Sequence, residues 1–288
     1  MSLLKNIEHY LSLVKFSHTI FAMPFALTGF FMGTVDSGNT ISLKLFLLIV
    51  LCMVFARNAA MSFNRYIDRY IDKLNPRTAN REIPANIIST KSTLFFLVIN
   101  SIFFVVTTYF INSLCFYLSF VALFVILGYS YSKRFTYLCH IILGISLSLA
   151  PIGAYIAITG HFDVKPILLS LSVLFWVSGF DIIYSLQDIE FDRKMSLKSI
   201  PSKLGYNNGR FLAIGFHLLS ILFLSYFVFI YNAFFLVGYI VFAILIFYQH
   251  YIVYKHGLSK INLAFMTFNG IASILFAVFF IIDIVLFN

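Results

Sequence analysis

The chain has 288 residues, of which 61% are hydrophobic, 19% aromatic and 11% charged, with a formal net charge of +9. A soluble domain carries roughly 25% charged residues, so this composition and a mean hydropathy of +0.94 exclude a soluble domain and place the chain among polytopic membrane proteins. The positive charge lies in short loops between apolar stretches rather than in one run, a pattern of membrane topology and not of nucleic-acid binding.

Residues 1–15 set Leu3, Leu4, Ile7, Leu11 and Val14 at helical spacing among Lys5, Glu8 and Lys15. That pattern predicts a short helix lying on the membrane surface, with no cleavable signal peptide. A span needs about 20 apolar residues. Nine are predicted, at 16–35, 43–63, 92–111, 114–131, 138–158, 166–184, 211–231, 233–254 and 262–287. The N-terminus and the loops after the second, fourth, sixth and eighth spans hold 17 of the 20 Lys and Arg residues. The positive-inside rule then puts these segments in the cytoplasm and the C-terminus outside. Cys52, Cys115 and Cys139 sit singly in apolar segments and ask for neither a zinc site nor a disulfide. The expected fold is all-α, a single integral-membrane domain over residues 1–288, with polar loops at about 64–91 and 181–210 on the cytoplasmic side.

Two acidic segments stand out. One reads Asn64-Arg-Tyr-Ile-Asp68-Arg-Tyr-Ile-Asp72, the other Asp181-Ile-Ile-Tyr184-Ser-Leu-Gln-Asp188-Ile-Glu-Phe-Asp192. With Glu82 they hold seven of the 11 acidic residues. Ionisable groups at a membrane are costly and mark function by default. At 100° per residue, steps of four and seven keep Asn64, Asp68 and Asp72 on one stripe, and Asp181, Asp188 and Asp192 on another. Oxygen ligands of this kind suit Mg²⁺, which is usually held by one or two carboxylates plus substrate phosphate. Two facing stripes predict metal ions bridging a diphosphate.

Pro76 is expected to end the first acidic helix. Arg77, Thr78 and Arg81 then lie on a loop able to fold over the site, where guanidinium forks match phosphate oxygens. Arg65, Arg69 and Lys73 are assigned to topology and headgroup contact. Lys133, in Tyr129-Ser-Tyr-Ser-Lys133-Arg134, is a second phosphate candidate. Arg57 lies within a span and needs an interior partner. Lys15 and His18 open the first span and are candidates for contact with an acidic acceptor. His140, His217 and His250 are isolated in the sequence and read as structural.

NxxxDxxxD followed by NPRT…NREIP, then YSxxKR, LGxxLxLAPIGAYIAITG and DIIYxxQDxxxDxxxxxxSIPxKLG resemble the UbiA superfamily of intramembrane aromatic prenyltransferases, over about residues 10–280. The resemblance implies nine helices around a central cavity, capped by the two motif loops, in the inner membrane of a bacterium. It implies that Asn64, Asp68, Asp72, Asp188 and Asp192 bind Mg²⁺–diphosphate, and that Asp181 lies near the reacting centre. By the same resemblance, Arg77, Arg81, Tyr129 and Lys133 contact the diphosphate or the allylic cation. Tyr129 and Tyr184 are the aromatic faces assigned to that cation. Many family members have an Arg where this chain offers Lys15 and His18.

The expected reaction is Mg²⁺-dependent transfer of a polyprenyl group from its diphosphate to an aromatic acceptor, 4-hydroxybenzoate or a dihydroxynaphthoate, in quinone biosynthesis. RNAAMSFNR…NPRTANREIP and GFDIIYSLQD look most like the 4-hydroxybenzoate enzymes and the UbiA-like branch linked to menaquinone. The alternatives are farnesyl transfer to haem, as in haem O synthase, and a cation-coupled secondary transporter. The latter is opposed by acids at helix ends rather than between broken helices at mid-membrane. A lipid phosphotransferase would need a DG…AR…G…D…D pattern, which is absent.

Overall fold

A computed structural model describes residues 3–15 and 21–287, and every regular element among them is helical. The surface helix α1 (Leu3–Leu13) buries Leu13 against Ile83 and Ile88 of a later loop and leaves Ile7 and Leu11 exposed. Helix α2 (Met23–Asp36) opens with Pro24, where a missing N–H costs nothing. Its 14 residues extend about 21 Å. Ser42 then caps α3 (Leu43–Leu74) by accepting from the Leu45 amide. That helix is 32 residues long, about 48 Å, and overshoots a hydrocarbon core of about 30 Å. Its C-terminal turns therefore carry the first acidic segment clear of the apolar layer.

Helices α4 (Thr90–Tyr109), α5 (Ser113–Ser132), α6 (Cys139–Thr159) and α7 (Val164–Ser185) follow. Ser89, Asn112 and Asp163 cap α4, α5 and α7 respectively, and Gly160 (φ 73°) ends α6. A 3₁₀ turn at Leu186–Asp188 leads into α8 (Ile189–Lys194). Helix α9 (Ile200–Ser225) begins with a Ser199/Ser202 capping box and kinks at Gly205 (φ 80°). Helix α10 (Ala233–His256), a π-helical stretch (Leu263–Phe268) and α11 (Asn269–Phe287) complete the chain.

Among the described residues, eight helices are long and apolar enough to cross a membrane, so the protein is an integral membrane protein. The expectation of nine spans is corrected at the first of them. The described helix there is the 14-residue α2, which reaches the expected C-terminal end at Asp36 but starts only at Met23 and is shorter than a span needs; residues 16–20 of the expected span lie outside the described residues. It is nonetheless an interior element, with nine buried positions.

The two halves of the bundle are filled differently. Phe25, Trp176, Phe235, Phe242, Phe276 and Phe280 form a packed aromatic cluster among α2, α7, α10 and α11. A cavity of about 380 Å³ instead lies among α3, α4, α5 and α6. In the filled half the Trp176 indole donates to Asn269 Oδ1 (2.9 Å). Asn269 Nδ2 in turn donates to Gln249 Oε1 (2.8 Å) and to the π-helical carbonyls of Ala264 and Phe265 (3.2 and 3.0 Å). The wide turn thus has its carbonyls satisfied by one amide, and it sets the Phe265 ring 4.2 Å from that of Tyr184.

Candidate active site

Pro76 cannot continue α3, and the preceding Asn75 is extended (φ −91°, ψ 117°) as a residue before proline should be. The chain turns back at once. Thr78 Oγ1 donates to the Asp72 carbonyl (3.0 Å), and Arg81 Nη1 meets both Asp72 carboxylate oxygens (2.7 and 2.9 Å). Arg77 reaches the other way. Its Nε and Nη2 form a fork on Asp188 Oδ1 and Oδ2 (3.1 and 2.7 Å), and its Nη1 donates to the Tyr184 hydroxyl (3.1 Å). Asn75 Nδ2 adds a longer contact to Asp188 Oδ1 (3.4 Å). Loop 75–89 therefore ties the end of α3 to the end of α7. Burial acts to lower the Arg77 pKa, but the Asp188 carboxylate outweighs it and leaves the guanidinium above its ordinary value.

The other acid of the first segment, Asp68, is held from the C-terminal end of α5. Lys133 Nζ lies 2.8 Å from Asp68 Oδ2, and Arg134 Nη2 lies 2.8 Å from Asp68 Oδ1. Asn64 Nδ2 donates to Asp68 Oδ2 (3.2 Å). In the second segment the 3₁₀ turn at 186–188 overturns the single stripe expected for Asp181, Asp188 and Asp192. Tighter winding rotates the two later acids away from the first. Asp188 faces Arg77, and Asp192 Oδ2 accepts from Ser199 Oγ (2.7 Å). Asp181 turns inward to His140 (2.6 Å).

Among the described residues, no three His, Cys, Asp or Glu side chains converge into a ready-made metal sphere. The donor set still fits a hard divalent cation that arrives with phosphate. It is all oxygen, it lies on two segments facing each other, and Asp68, Asp72 and Asp188 are each flanked by a base able to move to phosphate. Asp68 and Asp72 are nearly enclosed, with side chains 3% and 6% exposed, whereas their basic partners are 24–32% exposed.

The cavity begins one turn inside this cluster. Met61 of α3, three residues before Asn64, lines it with Tyr129, Ala60, Ser146 and Gly153. Tyr129 lies within the electrostatic reach of Asp68, Asp181 and Arg57 together, so it stands at the seam between polar site and apolar chamber. Arg57 is the one charged side chain among the described lining residues. Its Nη2 donates to the Lys15 carbonyl (3.2 Å), and its buried Nε has no partner.

The family model for the UbiA prenyltransferase family matches residues 22–271. The chain belongs to the UbiA prenyltransferase family. Its relatives include 4-hydroxybenzoate octaprenyltransferases of Tolumonas auensis (32% identical over 179 residues, 62% of each chain) and of Francisella tularensis subsp. novicida (29% over 227 residues, 78% of this chain and 79% of that one). A third, from Vesicomyosocius okutanii, is 31% identical over 157 residues, 54% of this chain and 58% of that one. The chain thus spans about three fifths of the length of the first and third of these relatives. A UbiA homologue from Aeropyrum pernix K1 has the same fold, with a TM-score of 0.83 at 28% identity over 92% of this chain and 98% of that one. A UbiA homologue from Archaeoglobus fulgidus, bound to DMAPP and Mg²⁺, follows at 0.74 and 22% identity, over 96% and 99%.

Within this UbiA-family chain the structure brings Asn64, Asp68, Asp72, Arg77, Arg81, Lys133, Tyr184, Asp188 and Asp192 to one end of the bundle, with Tyr129 and Asp181 on its inner side. Lys15 meets the site through its main chain. It ends α1 in a left-handed conformation (φ 46°), and its carbonyl is what meets Arg57. His18 lies outside the described residues. Arg65 is corrected too: it is 2% exposed and donates from Nε to the Leu13 carbonyl (3.4 Å), so it docks α1 rather than touching headgroups.

Residues missed in the sequence are Arg134, Asn75, Ser199 and His140. Arg134 stood beside Lys133, and Asn75 preceded the helix-ending proline, so both had a local signal. His140 had none, because its partner lies 41 residues away.

Proposed function

We propose that the protein transfers a polyprenyl group from a polyprenyl diphosphate to a small aromatic acceptor, with Mg²⁺ as cofactor. The convergence of two acidic segments and four basic side chains at the mouth of an apolar cavity carries this reading. The names of the relatives support 4-hydroxybenzoate as acceptor class, with a dihydroxynaphthoate the nearest chemical variant. The orientation assigned is cytoplasmic for the N-terminus and site, in the inner membrane of a bacterium.

Asn64, Asp68, Asp72, Asp188 and Asp192 would hold the metal, which supplies charge neutralisation to the departing diphosphate. Arg77, Arg81 and Lys133 would leave their carboxylate partners for phosphate oxygens as substrate enters, freeing those carboxylates for the metal that arrives with the diphosphate. The allylic C–O bond breaks with its electron pair on the diphosphate. Tyr129 and Tyr184 face the resulting cation with their negative ring faces. The apolar lining of α3–α6 receives the prenyl tail and keeps water from the cation. Arg57, the one charge among the described lining residues, would take the carboxylate of the acceptor. Arg57→Leu is therefore expected to raise the acceptor KM about tenfold or more while leaving the diphosphate KM within about twofold. Equal changes in both constants would remove that role.

The deciding experiment supplies purified protein in nanodiscs with a polyprenyl diphosphate, a panel of 4-hydroxybenzoate, dihydroxynaphthoates and haem, and buffers with or without Mg²⁺. A prenylated aromatic formed only with the metal is the expected result. Product that forms equally well in chelator, or no product with any acceptor, would overturn the proposal.

A further inference from the structure

His140 of α6 is buried, with a side chain only 3% exposed, and its two ring nitrogens have different partners. Nε2 lies 3.3 Å from the backbone nitrogen of Ile200, the first residue of α9. An amide N–H can only donate, so Nε2 carries a lone pair and the ring proton sits on Nδ1. Nδ1 in turn lies 2.6 Å from Asp181 Oδ2. The ring thus donates to the carboxylate in a tautomer set by the main chain. Ile200 would otherwise be one of the unpaired amides at a helix start. Ser178 Oγ, also on α7, donates to the His140 carbonyl (3.2 Å), so ring and backbone of His140 are both held by the helix that bears Asp181.

Asp181 is less enclosed, at 24% side-chain exposure. Oδ2 is taken by the imidazole, and no other partner is seen for the carboxylate among the described residues. Oδ1 is thus without a hydrogen-bond partner among the described residues, and Tyr129, which lines the cavity, lies within the electrostatic reach of Asp181. The arrangement leaves one carboxylate oxygen immobilised and the other free to accept a proton, next to a ring that lines the chamber.

Resting on the prenyl-transfer reading above, we propose that His140 is the positioning residue that holds Asp181 as the base for loss of the ring proton. As the ring carbon bonds to the prenyl cation, it carries both the new C–C bond and its original hydrogen. Asp181 Oδ1 takes that proton, and the C–H electron pair returns to the ring to restore aromaticity. His140 keeps its Nδ1 proton throughout and fixes the direction of the Oδ1 lone pair.

The test compares wild type, His140→Leu and His140→Asn, using acceptor with hydrogen or deuterium at the ring carbon that is substituted. His140→Leu removes the donor, and kcat should fall about tenfold to a hundredfold, a share of what general-base catalysis contributes, with both KM values little changed. Proton removal then limits the rate, so the deuterium isotope effect on kcat should rise above that of wild type. His140→Asn keeps an N–H near the Nδ1 position and should regain most of kcat and the wild-type isotope effect. If His140→Leu does not fold, His140→Gln, whose amide overreaches the Nδ1 position, replaces it with the same expectation. A lower kcat with an unchanged isotope effect, unaltered kinetics in His140→Leu, or no regain in His140→Asn would overturn the proposal. Wild type that prenylates no acceptor would overturn the underlying reading, and this inference with it.

Discussion

Asp68→Ala and Asp188→Ala each lower kcat on the order of a thousandfold and leave the helical bundle intact. The first half follows from position. Among the described residues, Asp188 is the one carboxylate gripped by Arg77, and Asp68 is the meeting point of Lys133, Arg134 and Asn64. On the proposed function, each would remove a ligand for the metal that neutralises the leaving group, and single groups of that electrostatic kind are typically worth about 10²–10³ in kcat. The second half follows from exposure. The bases set free, Arg77, Lys133 and Arg134, have side chains 29–32% exposed and can turn to water instead of being left as buried unpaired charge. Product formation at saturating Mg²⁺ and a thermal unfolding curve measure the two halves separately. Glu190→Ala is the control, since Glu190 sits on the same short helix but is exposed. Normal turnover by either aspartate variant would refute the metal assignment, and a collapse in melting temperature would refute the argument from exposure.

Gly29→Ala is the substitution most damaging to the fold itself. A Cβ there would lie 2.2 Å from the Pro151 carbonyl oxygen and 2.9 Å from its carbon. Both are backbone atoms, so no rotamer change relieves the clash, and α2 and α6 have to separate by about an ångström. Overpacking of this kind costs about 1–3 kcal/mol and sometimes more. The cost does not stay local, because the same stretch of α6 supplies Ala150 and Gly153 to the cavity wall. The expected outcome is a melting temperature several degrees lower, together with reduced turnover. Gly128→Ala, where an added Cβ meets nothing within 4 Å, should melt like the parent. Equal melting of all three proteins would show that the α2–α6 approach is not set by that glycine.

The membrane class, the acidic segments and the arginine loop were legible because each is written locally. Hydropathy reports spans through runs of about 20 residues. The four-residue repeat of Asn64, Asp68 and Asp72 survives because α3 is continuous, and Pro76 marks its end without help from tertiary structure. The second segment was misread for a local reason. Gln187 Nε2 donates to the Tyr184 carbonyl (2.8 Å) and Ser185 Oγ to that of Ile182 (2.9 Å) where the helix tightens, and a hydropathy pattern carries no trace of such bonds. The same blindness applies at α2, whose interior role comes from close packing on α6 rather than from length. His140 was illegible because its function depends on two groups, Asp181 and the Ile200 amide, brought together only by helix packing.

The π-helical turn at 263–268 bears on how this sequence can change in length. Phe265 touches Tyr184 on one side of the turn, and Asn269 grips Trp176 and Gln249 on the other. Each residue of a helix rotates its successors by about 100°. Deleting one residue between these anchors would let the wide turn relax to an ordinary one, but it would swing the indole-binding amide out of register with the ring. Substitution along this stretch should therefore be less disruptive than insertion or deletion. Homologues that differ in length near α11 should place their extra residues on the exposed side, around Gly257–Lys260, and hold the spacing from Phe265 to Asn269 at four.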